Sequence, residues 1–251
     1  MKISAAVITF NEERNIERCL RSLQDVADEI VVIDSFSKDR TKEICKAFGV
    51  RFIENPFDGH IQQKNFAIDQ TSHEWVLSLD ADEALDETLK NSILALKTNE
   101  PEFFGYRFNR LTNYCGTWIK HSGWYPDTKV RLVNKNHARW TGVNPHDRLD
   151  LYEDKKTGFL NGDLLHYSYY TKEDHLKQIE YFSGIASQEL YKKNKKVGLV
   201  LIYIKVVVQY LKNILLKLGF LDGKAGWTIA RLSAYATYRK YIKLRALHRG
   251  H

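Results

Sequence analysis

The chain has 251 residues, of which 43% are hydrophobic and 12% aromatic, so it can bury a sizeable core and global disorder is excluded. Its length suits one large domain or a domain with an appendage. The net charge of +7 is uneven: residues 1–100 hold 12 Lys and Arg against 19 Asp and Glu, whereas residues 190–251 hold 14 against 1. A basic tail on an acidic body predicts an anionic partner for the tail, either a membrane surface or a nucleic acid.

Cysteine usage and the start of the chain indicate the compartment. The three cysteines are odd in number and widely spaced, which indicates neither a disulfide framework nor a cysteine metal site. The first residues lead into a short strand-like run that lacks the length and the cleavage site of a signal peptide. We therefore expect a cytoplasmic protein.

The first hundred residues alternate between strand and helix patterns. Apolar runs predict buried strands at 3–10, 29–34, 51–54 and 75–80. Apolar residues at helical spacing follow each run, and Asn11 is expected to cap the first helix. Repeated strand–helix units predict an α/β fold with a mostly parallel sheet and helices on both faces. No dinucleotide-binding Gly-x-Gly-x-x-Gly follows the first strand, and no P-loop motif occurs in the sequence.

Acidic residues lie at the carboxyl ends of two of these predicted strands. Asp80 and Asp82 follow the last strand and point to the same side of an extended chain, which suits Mg2+ or Mn2+ carrying a phosphate. The alternative is a solvated strand end that caps the next helix, and Glu83 is interpreted as a helix-start acid favoured by the helix dipole. Asp34 ends the second strand. Because ligands bind beyond the carboxyl ends of parallel strands, Asp34 and Asp80 are expected on one rim.

From about residue 101 the pattern changes to strands separated by loops rich in Trp, Tyr, Gly and His. The predicted strands lie at 103–110, 129–134 and 163–170. The aromatic loops lie at 114–118, 121–126 and 140–147. Aromatic rings stack on the apolar faces of sugars, so these loops indicate sugar recognition. The alternative is that the rings fill a small second core.

Past Thr171 the chain is predicted to be helical. The apolar stretch 197–218 is interrupted by Lys205, Gln209 and Lys212, which share one helical face. A transmembrane span needs about 20 apolar residues with few or no charges. An amphipathic helix with lysines on its polar side is instead expected to lie on an anionic bilayer, which argues against nucleic-acid binding. Packing on the protein's own body or on a second subunit is the alternative, and a homo-oligomer is left open.

Four motifs in order resemble family 2 glycosyltransferases. They lie at 7–13 with 20–23, at 31–35 with 39–41, at 63–67 and at 79–83. Later segments, at 124–126, 131–132, 146–147 and 222–223, resemble the bacterial branch near lipopolysaccharide-core glucosyltransferases that act on heptose. The resemblance implies a GT-A fold whose catalytic domain, 1–190, joins a nucleotide-binding half, 1–100, to an acceptor half, 101–190. The helical tail, 191–251, would follow as a membrane-surface or oligomerisation element.

The resemblance also implies roles for individual residues, carried over motif by motif. The nucleotide-sugar pocket would be lined by Thr9, Asn11, Glu12, Asp34 at the base, Lys64 near the base or diphosphate, Asp80 at the ribose, and Ala81. Asp82 would bind a divalent ion, Mg2+ or Mn2+, and His166 would complete the metal shell. Asp147 would be the catalytic base, where the family usually has Glu after His.

Each role has a structural alternative. Asp34 could cap the next helix, Lys64 could be a solvated helix lysine, and His166 could be a core histidine. Asp147 could form an ion pair with Arg148 or Arg131.

The resulting hypothesis is an inverting, metal-dependent glycosyltransferase on the cytoplasmic face of the inner membrane. It would move a hexose from a nucleotide-sugar, with UDP favoured, to a glycan or lipid-linked acceptor in lipopolysaccharide-core or other cell-surface polysaccharide synthesis. The alternative is a non-catalytic, membrane-associated protein that binds nucleotide-sugars. A nucleotidyltransferase would need a Gly-rich loop after the first strand, which is absent.

Overall fold

A computed structural model describes residues 1–143, 146–152 and 156–249, and the side chain of His146 lies outside the described part. The chain forms two compact units. We call Met1–Arg110 with Asp127–Tyr167 the sheet unit, and Leu111–Pro126 with the chain from Ser168 onward the tail unit. Each unit is built from two separate segments of the chain. The predicted division into a nucleotide-binding half, an acceptor half and a tail, with boundaries at residues 100 and 190, stays a prediction.

Eleven strands and seven helices make up the described chain. The strands are β1 (Ile3–Thr9), β2 (Glu29–Asp34), β3 (Arg51–Glu54), β4 (Trp75–Asp80), β5 (Glu83–Leu85), β6 (Gly105–Tyr114), β7 (Thr117–Trp118), β8 (Asp127–Asn134), β9 (Ala138–Val143), β10 (His146–Leu151) and β11 (Gly158–Tyr169). The helices are α1 (Ile16–Leu23), α2 (Thr41–Ala47), α3 (His60–Asp69), α4 (Glu87–Lys97), α5 (Lys172–Lys192), α6 (Leu199–Leu211) and α7 (Gly223–Arg249). A π-helical turn, Lys212–Leu216, and a 3₁₀ turn, Gly219–Asp222, connect α6 to α7.

The main sheet has the order β3-β2-β1-β4-β8-β6-β11-β5, with β9 and β10 forming a separate hairpin. Strands β3, β2, β1 and β4 are parallel, as predicted from the repeated strand–helix units. Strand β8 then runs antiparallel to both β4 and β6, and β5 runs antiparallel to β11. This mixed α/β sheet is the GT-A architecture that the motifs predicted.

Both faces of the sheet are covered, which explains why its strands are nearly continuous apolar runs. On one face, Val7 of β1 belongs to a core with Leu20 of α1 and Ile93 of α4. On the other face, the neighbouring Ala6 packs in a core with Ile68 of α3 and Trp140 of the β9–β10 hairpin. Successive strand residues point to opposite faces, so one strand serves both cores.

Two predictions about helix starts are wrong. Helix α1 begins at Ile16, because Asn11 has a positive φ of 54° and its side-chain oxygen accepts a hydrogen bond from the Lys38 amide. Glu83 does not start a helix: it is buried at the beginning of β5, and Asp86 caps α4 by accepting from the Leu89 amide. In both places the turn residues hold the rim of the sheet in position.

The tail unit is built on paired helices, as predicted past Thr171. A capping box formed by Thr171 and Asp174 starts α5. Glu180 of α5 accepts two hydrogen bonds from Arg239 of α7, both at 2.7 Å. A small aromatic core includes Tyr114 and Trp124, so part of the predicted sugar-binding aromatic set fills a core instead.

Helix α6 packs against α7 and leaves an apolar face uncovered by the described residues. Ile202 is buried, but Val200 is 76% exposed and Leu216 in the following turn is 79% exposed. Lys205, predicted for the polar face, lies 5.6 Å from the centre of the Tyr241 ring in α7. The stretch Leu199–Leu216 is long and apolar enough to cross a membrane by length and composition alone.

Candidate functional site

A cavity of about 620 Å³ lies in the sheet unit, beyond the carboxyl ends of β1 and β4. We call it the donor cavity. Six of the predicted site residues line it: Thr9, Glu12, Asp80, Ala81, Asp82 and His166. They come from the ends of two parallel strands, from the loops that follow them and from β11, so the fold brings distant residues to the rim where ligands bind such sheets.

Aromatic and amide side chains that the motifs did not predict also line the donor cavity. Phe10 follows β1 directly, and Phe57 precedes α3, whose first turn supplies His60 and Gln63. Phe10 and Phe57 are each more than half exposed. Large exposed aromatics in loops after buried strands indicate a binding surface, a signal already visible in the sequence.

Two polar side chains that line the donor cavity, Thr9 and Glu12, have features that suit the binding of a ligand. The Thr9 hydroxyl is buried and has no hydrogen-bond partner among the described residues. Burial raises the pKa of Glu12 to about 7, a hydrogen bond from Asn15 opposes this, and the charge of Asp82 adds to the rise. Both groups therefore have capacity to bind a polar ligand.

Asp82 and His166 have the geometry of a pair of metal ligands. His166 Nε2 lies 3.2 Å from Asp82 Oδ2, and the Tyr167 amide donates to the Asp82 carbonyl at 2.9 Å. Two ligands at right angles around an ion with bonds of about 2.1 Å are about 3 Å apart, so an ion fits between them with small adjustment. Burial would lower the pKa of His166, but Asp82 raises it overall. No cluster of three such side chains forms a metal site within the described chain.

Asp80 is held by two cations. Lys64 Nζ lies 3.1 Å from Asp80 Oδ1, and an Arg131 nitrogen lies 3.4 Å from Oδ2. Burial raises the pKa of Asp80, but Lys64 and then Arg131 outweigh this and hold it below its usual value. Arg131 also contacts the fully buried Glu83 at 2.9 Å, so the acid predicted to start a helix instead anchors this network. Asp80 is therefore held in its charged form.

A second cavity, of about 440 Å³, lies beside these cations and is lined by Asp80, Lys64 and Asp147. We call it the acceptor cavity. Asp147, on β10, pairs with Lys64 at 2.8 Å, whereas Arg148 pairs with Asp150. The predicted alternatives of an Asp147 ion pair with Arg148 or Arg131 are absent from the described ion pairs, and Lys64 is buried rather than solvated.

Like Lys64, the predicted nucleotide ligands Asp34 and Asn11 are not among the residues that line the donor cavity. Asp34 is fully buried, and its two carboxylate oxygens accept from the amide and the hydroxyl of Ser37. Asn11 is exposed, and its amide donates to the same Ser37 hydroxyl. Both side chains shape the loops around the cavity, and their contact with a nucleotide stays a prediction.

The chain is similar in sequence to known glycosyltransferases. The sequence profile of Glycosyl transferase family 2 matches residues 4–159. An uncharacterized glycosyltransferase of Rickettsia typhi is 30% identical, over 98% of this chain and 87% of its own length. The lipopolysaccharide core biosynthesis glycosyltransferase LpsC of Rhizobium meliloti is 27% identical, over 96% of this chain and 93% of its own.

Solved structures with a similar fold include S. aureus TarS in complex with UDP, at a TM-score of 0.44 and 14% identity over 100% of this chain and 92% of that chain. Glucosyl-3-phosphoglycerate synthase from Mycobacterium tuberculosis, in complex with Mn2+ and UDP, aligns at a TM-score of 0.36 and 25% identity over 45% of this chain and 44% of that chain. TM-scores below 0.5 support no inference about a site. The profile, however, covers more than half of the chain, and the protein belongs to glycosyl transferase family 2.

Proposed function

We propose that the protein is an inverting, metal-dependent hexosyltransferase that moves a hexose from a nucleotide-sugar to a glycan or lipid-linked acceptor. One observation carries this proposal: Asp80 lines both the donor cavity, with Asp82 and His166, and the acceptor cavity, with Asp147. Two cavities that share a lining residue suit a reaction in which two sugars must meet in a fixed orientation.

The donor, with UDP favoured, would occupy the donor cavity. The Thr9 hydroxyl, which has no hydrogen-bond partner among the described residues, and the Glu12 carboxyl would bind polar groups of the donor, and Asp80 with Ala81 would hold the ribose. Asp34 would lie at the base of the nucleotide and Asn11 would line the nucleotide pocket. Both residues hold the loop beside the cavity through Ser37. The apolar side of the cavity, at Phe10 and Phe57, would accept the flat ring of the base.

Asp82 and His166 would hold the divalent ion, Mg2+ or Mn2+. Oxygen and imidazole nitrogen donors suit these ions, and the distance between the two side chains fits neighbouring coordination positions. When bound there, the ion would neutralise charge on the departing diphosphate.

Asp147 would act as the base on the acceptor side. It would take the proton of the acceptor hydroxyl as that oxygen bonds to the anomeric carbon, on the face opposite the leaving group. The bond from this carbon to the diphosphate oxygen breaks, and its electron pair leaves with the nucleoside diphosphate. Attack from the opposite face inverts the configuration.

The acceptor would be a component of lipopolysaccharide core or of another cell-surface polysaccharide. The similarity to LpsC, a lipopolysaccharide core biosynthesis glycosyltransferase that is 27% identical, supports this class of acceptor. Polar and charged residues line the acceptor cavity, among them Thr128, Lys129 and Asp150, as recognition of hydroxyl-rich molecules requires.

The tail unit would keep the enzyme on the cytoplasmic face of the inner membrane. The uncovered apolar face of α6 lies within the segment that holds 14 basic residues against 1 acidic residue. Such a surface fits an anionic bilayer, with apolar side chains inserted and lysines at the headgroups. A homo-oligomer through the same face would bring two strongly basic tails together, which like-charge repulsion disfavours.

Binding and transfer by matched variants test the proposed chemistry. The wild-type protein is expected to be stabilised against heat by UDP in the presence of Mn2+, and to transfer hexose from one of a panel of nucleotide-sugars. Asp82→Ala should lose the Mn2+-dependent stabilisation. Asp147→Ala should keep it but lose transfer by about 100-fold or more, within the usual range for a catalytic base.

The exposed Asp25, on a turn far from these residues in sequence, provides the control: Asp25→Ala should change neither readout. Unchanged UDP binding in Asp82→Ala would refute the metal assignment. A wild-type protein that binds UDP-sugars but neither transfers nor hydrolyses them would favour the non-catalytic alternative.

A further inference from the structure

Lys64 is buried between the two cavities and contacts the carboxylates of both. Its side chain is only 6% exposed. Its ammonium lies 2.8 Å from Asp147 Oδ2 and 3.1 Å from Asp80 Oδ1. It also lies 4.3 Å from the centre of the Trp140 ring, whose face attracts cations. The three donors of an ammonium can serve both carboxylates, and the ring covers the remaining side.

The family resemblance predicts a place for Lys64 near the base or diphosphate, and that contact stays a prediction. In the structure Lys64 lines the acceptor cavity, and it is not among the residues that line the donor cavity. Its ammonium pairs with Asp80 and with Asp147, so its contacts also suit a role between the two cavities.

The contacts of Asp147 indicate that role. Among the described residues, its carboxylate has one hydrogen-bonding partner, Lys64, through Oδ2. Its backbone is held in the β9–β10 hairpin opposite Gly142. Within the described part of the chain the carboxylate is thus fixed through one oxygen, which leaves Oδ1 for a ligand in the acceptor cavity.

We propose that Lys64 is a positioning residue that orients Asp147 through Oδ2, so that Oδ1 faces the acceptor hydroxyl, and that it ties this carboxylate to Asp80 at the donor cavity. The inference rests on the proposed function, in which Asp147 is the base.

Two opposing effects decide the outcome of removing Lys64. The nearby ammonium makes Asp147 a weaker base, so its loss would by itself favour proton transfer. Its loss also frees the Asp147 side chain to rotate and leaves it repelled by Asp80. A displacement of about 1 Å at a reacting group costs about 100-fold in rate, so loss of orientation is expected to dominate.

Donor binding should survive the loss of Lys64. Asp80 keeps its contact with Arg131, which is anchored in turn by the buried Glu83. Among the described residues Lys64 forms its ion pairs with Asp80 and Asp147, whereas Asp82 and His166, the residues proposed for the metal, pair with each other. The positioning role therefore predicts a change in kcat without a change in the donor's KM.

The test compares Lys64→Met with Lys64→Arg in the full-length protein. Lys64→Met is expected to lower kcat about 100-fold while the donor KM and the UDP-induced thermal stabilisation stay within about twofold of wild type. Lys64→Arg, which restores a buried cation, is expected to recover kcat to within about tenfold of wild type. Lys135 is a matched control, since it is partly buried and bonded to Thr71, and Lys135→Met should leave kcat and KM unchanged.

Unchanged kcat in Lys64→Met, or a loss of UDP stabilisation in that variant, would overturn the inference. If Lys64→Met fails to fold, Lys64→Gln decides, because its amide keeps a donor for Asp147 without the charge. A kcat within about tenfold of wild type at unchanged donor KM would support positioning, and a loss of about 100-fold would overturn it. A wild-type protein that binds UDP but transfers no sugar would refute the proposed function itself. Transfer by wild type with no effect of Lys64→Met refutes the positioning role alone.

Discussion

Buried ionisable side chains are held in two ways in this protein. Asp80 is charged, because Lys64 and Arg131 compensate for its burial. His175 of α5 is held neutral: it is buried against Tyr169 and Trp124, and its Nδ1 lies 3.3 Å from the Tyr114 hydroxyl. Burial lowers the pKa of His175 from its ordinary 6.5 to about 4. Asp80 belongs to the candidate site, whereas His175 makes the free energy of unfolding depend on pH.

The pH dependence of stability should therefore carry a contribution from His175. Above pH 6.5 the imidazole is neutral in both the folded and the unfolded chain and contributes nothing. Between 6.5 and about 4 only the unfolded chain binds the proton, so stability falls as pH falls. The full loss is about 3 kcal/mol. In urea titrations at pH 7 and pH 4.5, His175→Phe should lose less stability on acidification than wild type by about 2 kcal/mol.

Tyr114→Phe provides the control, since it removes the hydrogen-bonding hydroxyl but keeps the titrating ring. It should preserve the wild-type difference between the two pH values. Equal acid sensitivity of wild type and His175→Phe would contradict the prediction.

The residues predicted from the sequence are those whose signal is local. Asp80 and Asp82 follow a buried apolar run directly, so their place at a strand end is readable from neighbouring residues. Glu83 and Lys64 are different, because their roles depend on Arg131 and Asp147, which come from β8 and β10. The sequence pattern of one segment cannot predict a contact between residues that are distant in sequence and become neighbours only when the strands assemble.

The same contrast holds for whole elements. Strands β1, β2 and β4 are apolar on both faces and were predicted nearly residue by residue. Part of the β9–β10 hairpin was predicted to be an aromatic loop. Its two strands pair only with each other, outside the main sheet, and they alternate between polar and apolar residues, so they lack the continuous apolar run of a buried strand. Trp140 of this hairpin is buried, and its ring nitrogen donates to Ser78 of β4. The hairpin thus brings Asp147 into the site through side-chain packing and hydrogen bonds, without strand pairing to the main sheet.

The junction between the 3₁₀ turn and α7 depends on close backbone contact. A Cβ added at Gly226 would lie 1.8 Å from the Gly219 carbonyl oxygen. Backbone cannot yield as a side chain can, so Gly226→Ala is expected to cost about 1–3 kcal/mol or more of the free energy of unfolding. A decrease in the midpoint of thermal unfolding of the full-length protein would show this.

Gly184 is the matched control, since it lies inside α5 and the nearest atom to an added Cβ is Lys243 Nζ at 3.9 Å. Gly184→Ala should be neutral or stabilise by up to about 1 kcal/mol, because alanine favours helix. Similar effects of the two substitutions would show that the contact at Gly226 is unimportant.

On the scale of the whole molecule, charge and exposed apolar surface are concentrated in the same part of the chain. The charge polarity was readable from composition, and the amphipathic tail was predicted from spacing. The sequence did not predict which face of α6 is covered, because that depends on how α7 packs along it. In this packing Tyr238 lies near Tyr203 and Trp227 lies near Tyr210. The described structure leaves the apolar face open, which favours an external partner over the protein's own body.

Binding to lipid vesicles should follow from this arrangement. The protein is expected to co-sediment with phosphatidylglycerol-containing vesicles much more than with phosphatidylcholine vesicles, and binding should weaken as salt is raised. The double substitution Val200→Asp with Leu216→Asp should reduce binding at least about tenfold, because it places charges in the inserted face. UDP-induced stabilisation should be unchanged.

Val143→Asp is the matched control, since this valine of the sheet unit is 75% exposed, like Val200 at 76%. It should bind vesicles as wild type does. Equal binding to the two kinds of vesicle, or full binding by the double variant, would contradict an anionic membrane partner.

The pairing of β11 with β5 joins residues that emerge from the ribosome at different times. His166 pairs opposite Glu83, which places it beside Asp82, but it is translated long after both. A nascent chain that has emerged only through β4 and β5 has the acidic rim but lacks His166 and Asp147. The two cavities are thus completed late in synthesis, and a prematurely terminated chain would expose an acidic strand end without the residues that complete them.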